Sequence, residues 1–293
     1  MLKSHGRYTH RSIEDRPRFR WPGSKGLAVY IALNIEAYSF GEGLVEDLVP
    51  GGTQPDVLNT AWREYGTRIG AWRLLRQFQA HGLPLTVLLN SALYDHAPDL
   101  VAACRALGHE IAAHGRTNSE SQAGLDEAAE RALIAEVTAR ITAAEGTPPA
   151  GWLGPWLSET PRTPELIRDA GYRYILDWCA DDQPIWLATQ SGPLLAMPYS
   201  QEINDSAAII GRHMGAAEFA DAIIDQVDQL LADAADQPLV FGLALHTNII
   251  GQPFRRRQLD RALRHLAARA GELWITRAAD IADFIHAAPA RAV

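Results

Sequence analysis

A parallel sheet closed or nearly closed into a distorted (β/α) barrel of about seven strands is the architecture this sequence predicts. Two observations carry that reading. Apolar runs of strand length alternate along the whole chain with stretches whose apolar residues recur at helical spacing. The Gly-rich phosphate loop that usually follows the first strand of an open doubly wound sheet is missing, and Asn34-Ile35-Glu36-Ala37-Tyr38-Ser39-Phe40-Gly41 stands in its place. With 293 residues, 47% hydrophobic and 21% charged, the chain can bury a core without disulfides or structural metals. Barrels of this kind occupy roughly 200–250 residues as one unit. The chain therefore reads as a single domain over 1–293, with residues 1–26 as an N-terminal arm.

The elements follow in order. Leu27 to Leu33 is apolar throughout and bounded upstream by Pro22-Gly23, as expected of a strand buried on both faces. Beyond the Pro50-Gly51-Gly52 loop, Ile69, Trp72, Leu75 and Phe78 repeat at helical spacing. Strand Leu85 to Leu89, helix Pro98 to Leu107 and strand Glu110 to Ala113 come next, then a long helix with the stripe Leu133, Val137, Ile141. After Pro148-Pro149 the pattern gives strand Ala150 to Leu153, helix Thr163 to Ala170 ended by Gly171, and strand Tyr172 to Leu176. Strand Leu194 to Met197 precedes a helix carrying Phe219, Ile223, Val227 and Leu230. Strand Leu239 to Leu245, helix Arg257 to Ala270, strand Leu273 to Thr276 and a helix from Ala278 complete the alternation.

Charge and composition exclude several functions. Lys plus Arg total 27 against 35 Asp plus Glu, a net −8 that is the wrong sign for a phosphate backbone or an anionic membrane. Neither GxGxxG nor GKS/T occurs, so a nucleotide cofactor has no support. The cysteines, Cys104 and Cys179, form no framework or finger spacing. With no apolar run of signal-peptide or membrane-span length, the expected location is cytoplasmic.

In a parallel barrel, chemistry collects where strands end, so the groups just past each apolar run are the informative ones. These are Asn34 and Glu36; His114-Gly115-Arg116-Thr117-Asn118; Gly154-Pro155-Trp156; Asp177-Trp178 with Asp181-Asp182; Glu202 and Asn204-Asp205; and His246. Asn and Asp also favour turns and helix caps, so Asn118 and Asn204-Asp205 carry a structural reading beside the functional one. His114 and His246 directly follow apolar runs at the functional face, whereas the other eight histidines lie in loops or on helices. Trp156, Trp178 and Trp186 are either core aromatics or the walls of a ligand pocket.

Over nearly its whole length the sequence resembles the polysaccharide deacetylase family, which shares the NodB homology domain. That family's Thr-Phe-Asp-Asp-Gly motif corresponds to Asn34-Ile35-Glu36-Ala37-Tyr38, and its His-x-x-x-His metal pair to His114 through Asn118. Its Arg-x-Pro-aromatic wall corresponds to Leu153-Gly154-Pro155-Trp156, its Asp-containing motif to Asp177-Trp178, and its Leu-x-His motif to Ala244-Leu245-His246. In this register the carboxylate ligand has become Ala37 and the second imidazole Asn118, so the family's zinc triad is incomplete even if Glu36 shifts into the ligand role. The resemblance is closer still to the metal-independent allantoinases and cyclic imide hydrolases of that family. Arg16-Pro17 to Trp21-Pro22, Tyr65-Gly66 through Trp72-Arg73, Pro198-Tyr199 with Asn204-Asp205, and Ile250-Gly251 with Pro253 carry it.

The resemblance implies a homo-oligomer, a dimer or a tetramer, that opens the C–N bond of small cyclic imides or amides with no metal or other cofactor. Glu36 would be the general base, His246 the proton donor or oxyanion stabiliser, and His114 the group orienting the attacked carbonyl. Asn118, Asn204, Asp181 and Asp182 would receive ring N–H and carbonyl groups, with Asp177 in the same wall, and Trp156 and Trp178 would sandwich a flat ring. An imide nitrogen leaves more easily than an ordinary amide nitrogen, so a missing Lewis acid and an imide substrate agree. The alternatives are allantoinase-type ring opening, a zinc-dependent deacetylase of N-acetyl sugars with unconventional ligands, and a non-catalytic barrel that binds a carbohydrate or small ring.

Overall fold

The computed structural model describes residues 2–292. Its strands are β1 (Leu27–Ile35), β2 (Thr86–Leu89), β3 (Glu110–Ala113), β4 (Gly151–Trp152), β5 (Tyr174–Ile175), β6 (Ile185–Leu187), β7 (Leu194–Ala196), β8 (Leu239–His246) and β9 (Leu273–Thr276). They form one curled sheet in the order β6-β7-β5-β4-β3-β2-β1-β8. β1 pairs along its length with β8, Leu27 opposite Leu239 and Asn34 opposite His246. Its other edge is divided between β9, at Leu27 to Tyr30, and β2, at Ala32 to Ile35. Every pairing is parallel except β6 with β7. The gap between β7 and β8 is narrowed by irregular chain: Ser200 N donates to Gly242 O and Asn204 bridges to Ala244.

Several boundaries differ from the sequence reading. β1 runs on to Ile35 because its end pairs with Leu89 at a fully buried position. β4 and β5 are only two residues long, since the short barrel wall there gives way to loops. β6 is unforeseen: three residues are too few for a periodic signal, and its partner is an antiparallel neighbour outside the β-then-α alternation. The arm covers this edge, with Ala188 N donating to Arg7 O at 2.7 Å.

Strand alternation decides what faces the site. Leu27, Val29, Ile31, Leu33 and Ile35 pack outward against the helices, while Ala28, Tyr30 and Ala32 join the barrel's interior cluster. Asn34 and Glu36 continue that inward series at the strand's end. Trp21 closes the opposite end, its indole donating to Leu239 O at 2.9 Å beside Trp274 and Phe284. The arm thus packs on its own barrel. Trp186 lies in β6 and does not line the strand-end cavity, its indole donating to Pro289 O.

The helical stretch after β1 is Val57–Tyr65 and Ala71–Ala80, joined by a π-turn over Gly66–Gly70. Here the glycines serve close approach. A Cβ on Gly70 would lie 2.1 Å from Thr247 O, and one on Gly251 would lie 2.7 Å from Gly70 Cα. The wide π-turn therefore seats backbone on backbone against the loop that follows His246. Among the described residues no helix is long and apolar enough to cross a membrane.

Candidate active site

At the C-terminal ends of the strands, a cavity of about 200 Å³ is lined by Glu36, His114, Asn118, Trp156, Asn204 and His246, among others. Three strand ends converge on it. Glu36 follows β1, His114 follows β3, and His246 is the last residue of β8. Asn90, just past β2, ties the first two together: its carbonyl oxygen accepts from Ala37 N at 2.8 Å and its amide donates to His114 O.

Glu36 is 8% exposed and almost fully hydrogen-bonded. Asn118 Nδ2 donates to Oε1 at 2.8 Å, and Tyr38 OH donates to Oε2 at 2.7 Å. His114 Nε2 lies 3.5 Å and His246 Nε2 3.7 Å from the same Oε1, near enough to attract but too far for a well-formed hydrogen bond. Burial disfavours the Glu36 carboxylate. The positive charge of His246, with the polar contacts to His114 and Tyr38, outweighs that effect and holds its pKa below the usual value.

His246 is the cation of the site. Burial pushes its pKa down, but the Asp205 carboxylate, 2.7 Å from Nδ1, and the charge of Glu36 raise it to about 10. Asp205 is fully buried, and its second oxygen accepts from His246 N at 3.0 Å and Ile250 N at 3.2 Å, fixing ring and loop together. His114 differs. Its Nδ1 lies 2.8 Å from Leu153 O, which can only accept, so in the neutral ring Nε2 presents a lone pair to the cavity.

The wall opposite is strained. Trp156 and Leu157 have φ of 63° and 51°, a left-handed backbone that bulky residues rarely adopt. The Trp156 indole donates to Asn118 O at 2.8 Å, and Asp177 Oδ1 accepts from Gly154 N at 2.8 Å, which together hold the loop.

Of the residues picked from sequence, Glu36, His114, His246, Asn118, Trp156 and Asn204 come together around one cavity. The remaining four do not line it. Asp177 sits behind the Gly154 loop, its pKa raised by burial and by the nearby charge of Glu159. Trp178 faces the arm, donating to Glu159 at 3.0 Å and packing edge-on to His5 at 5.1 Å. Asp181 pairs with Arg16 of the arm at 2.5 Å, and the Asp182 carbonyl accepts from Val240 N. The chain after β5 turns toward the arm and away from the strand ends, so these side chains are drawn from the pocket. Asn204 also serves the turn, its Oδ1 accepting from Ser206 N at 2.9 Å.

Sequence reasoning gave no site role to Tyr38, Glu46, Asn90, Tyr199 and Ser206, and gave Asp205 a turn reading beside a functional one without naming His246 as its partner. Tyr38, Asn90 and Tyr199 lie just past apolar runs and carried the same strand-end signal, whereas Glu46 and Ser206 meet the site only through tertiary packing.

The donor set does not fit a zinc ion of the three-ligand type. Ala37 brings no carboxylate, and Asn118 turns its amide nitrogen, a donor without a lone pair, toward Glu36. Among the described residues no three His, Cys, Asp or Glu side chains are grouped to hold a metal.

Comparison with known proteins follows the same line. Residues 64–175 match the family described as Polysaccharide deacetylase. A Schizosaccharomyces pombe protein bearing a polysaccharide deacetylase name is 26% identical over 294 residues, 90% of this chain and 91% of its own. The crystal structure of Puue allantoinase aligns with a TM-score of 0.83 at 28% identity, over 96% of this chain and 98% of that one. A Pseudomonas aeruginosa PAO1 protein described as a probable polysaccharide deacetylase aligns with a TM-score of 0.81 at 29% identity, over 92% and 93%. Barrel, motif order and matched relatives agree in one respect: over residues 64–175 the chain matches the polysaccharide deacetylase model, and over most of its length it is similar to an allantoinase and to proteins described as polysaccharide deacetylases.

Proposed function

We propose that the protein hydrolyses a ring C–N bond of small cyclic imides or amides without a metal. The observation that carries this reading is a carboxylate held ionised across one small cavity from an imidazolium, Glu36 Oε1 standing 3.7 Å from His246 Nε2. A water placed between Glu36 Oε1 and His114 Nε2 would donate one proton to each acceptor and turn its lone pair to the substrate carbonyl. Glu36 takes a proton as the oxygen adds to the carbonyl carbon, and His246 Nε2–H stabilises the oxyanion. The C–N bond then breaks, the ring nitrogen takes the His246 proton, and the proton on Glu36 returns to His246. One water is consumed and a cyclic imide yields one open-chain product that carries a carboxylic acid at one end and an amide at the other.

The cavity's size supports a single ring over a sugar chain. The likeness to an allantoinase supports amide-ring chemistry and keeps allantoin as the second candidate. The test is a substrate panel of succinimide, dihydropyrimidines, hydantoins and allantoin, followed for ring opening with and without a chelator. Chelator-insensitive opening of an imide is expected. Opening of allantoin alone favours the second candidate, and activity lost to chelator and restored by zinc overturns the metal-free mechanism.

A further inference from the structure

One carboxyl in the cavity is unused by this mechanism. Glu46, on the long loop after β1, lines the same space as Glu36 and His246 and is 9% exposed. The loop is anchored: Leu44 N donates to Ser119 O at 2.9 Å, a Cβ on Gly43 would lie 2.1 Å from that same oxygen, and Arg63 donates to Glu46 O at 2.8 Å. Glu46 Oε1 accepts the Ser206 hydroxyl proton, whereas Oε2 has no hydrogen-bond partner among the described residues and is not sealed from the cavity.

We infer that Glu46 is a specificity-determining residue that donates a hydrogen bond from Oε2 to a second carbonyl of the substrate, selecting uncharged rings with two carbonyls flanking one N–H. This rests on the ring-opening reading and narrows it. The groups facing Glu46 are His246 from β8, Glu36 and Tyr38 from the end of β1, Asp205 and Ser206 from the 200–211 stretch, and Arg255 from the helix Pro253–Ala268. Burial, then the charges of Glu36 and Asp205, raise its pKa against the pull of His246 and the Ser206 bond, so the neutral acid persists above the usual carboxylate range. A neutral acid with one oxygen already accepting from Ser206 has its proton free on the other. Asn118 Oδ1, buried and without a partner, supplies the matching acceptor for a ring N–H. No Lys or Arg is among the lining residues, and the cation there, His246, is already shared between Glu36 and Asp205, so a carboxylate on the ring would meet Glu36 with no unpaired counter-charge.

The experiment measures kcat and KM separately against pH for wild type, Glu46→Gln and Glu46→Ala with succinimide, and compares an uncharged ring with its carboxylate-bearing analogue. Wild-type KM should rise as pH climbs through the raised Glu46 pKa, Glu46→Gln should lose that limb because its amide donates at every pH, and Glu46→Ala should raise KM roughly tenfold with a smaller change in kcat. The carboxylated ring should be poorer by at least about tenfold in kcat/KM. A wild-type enzyme that opens succinimide while Glu46→Gln keeps the same KM limb, or while Glu46→Ala leaves KM unmoved, overturns this inference alone. Failure of the wild type to open any ring in the panel overturns the underlying reading and this inference with it.

Discussion

Replacing Asp205 with Asn keeps the shape of the residue and removes its charge. In the native protein the Asp205 carboxylate lies 2.7 Å from His246 Nδ1, and His246 titrates at about 10 although burial acts to lower it. Two unit charges at that separation attract by about 6 kcal/mol at an effective dielectric of about 20, equivalent to roughly four pKa units. The amide still accepts one hydrogen bond, so a fall of at least about two units is the conservative expectation. The native enzyme should then show a bell-shaped kcat profile. Its acid limb, from protonation of Glu36, lies below the usual carboxylate range, and its alkaline limb, from loss of the His246 proton, lies near pH 10. In Asp205→Asn the alkaline limb should move toward neutrality, and kcat at about pH 8 should fall about twofold if the pKa drops by two units and roughly 10²-fold if it drops by the full four, as the imidazolium population shrinks. Initial rates of imide ring opening followed by ultraviolet absorbance across pH give the profile, and nitrogen NMR of the imidazole reports its charge directly. Asp205 Oδ2 also accepts from His246 N and Ile250 N, and losing one such charged bond costs about 1.5–3 kcal/mol, so a thermal melt must accompany the kinetics. A folded Asp205→Asn variant whose alkaline limb stays near pH 10 would refute the assignment of His246 as a cation maintained by this carboxylate.

Two further substitutions test the base and the scaffold. Glu36→Gln is nearly isosteric and should lower kcat roughly 10²–10⁴-fold while circular dichroism and melting temperature change little, and retained turnover of succinimide would reject Glu36 as base. Gly70→Ala places a methyl 2.1 Å from Thr247 O, so it should destabilise the fold by about 1–3 kcal/mol in denaturant titration and loosen the loop behind His246, lowering kcat more than it raises KM.

The alternation of apolar runs was enough to predict the barrel, because a doubly buried strand such as β1 is written locally in its own residues. It was also enough to bring Glu36, His114 and His246 to one face, since each directly follows a strand and strand ends share an edge in a parallel barrel. What the local pattern could not carry were contacts between distant segments. Asp205 reads as a turn residue beside Asn204 until the gap between β7 and β8 brings it under His246. Glu46 sits in a long irregular loop with no periodicity, and only its anchors at Ser119 and Arg63 aim it inward. The acidic cluster after β5 looked like part of the pocket, but the arm, through Arg16, draws Asp181 away. Acidity was likewise decided by assembly: the types of residue were plain in the chain, yet the raised pKa values of His246 and Glu46 and the lowered one of Glu36 follow from burial and from neighbours many residues away.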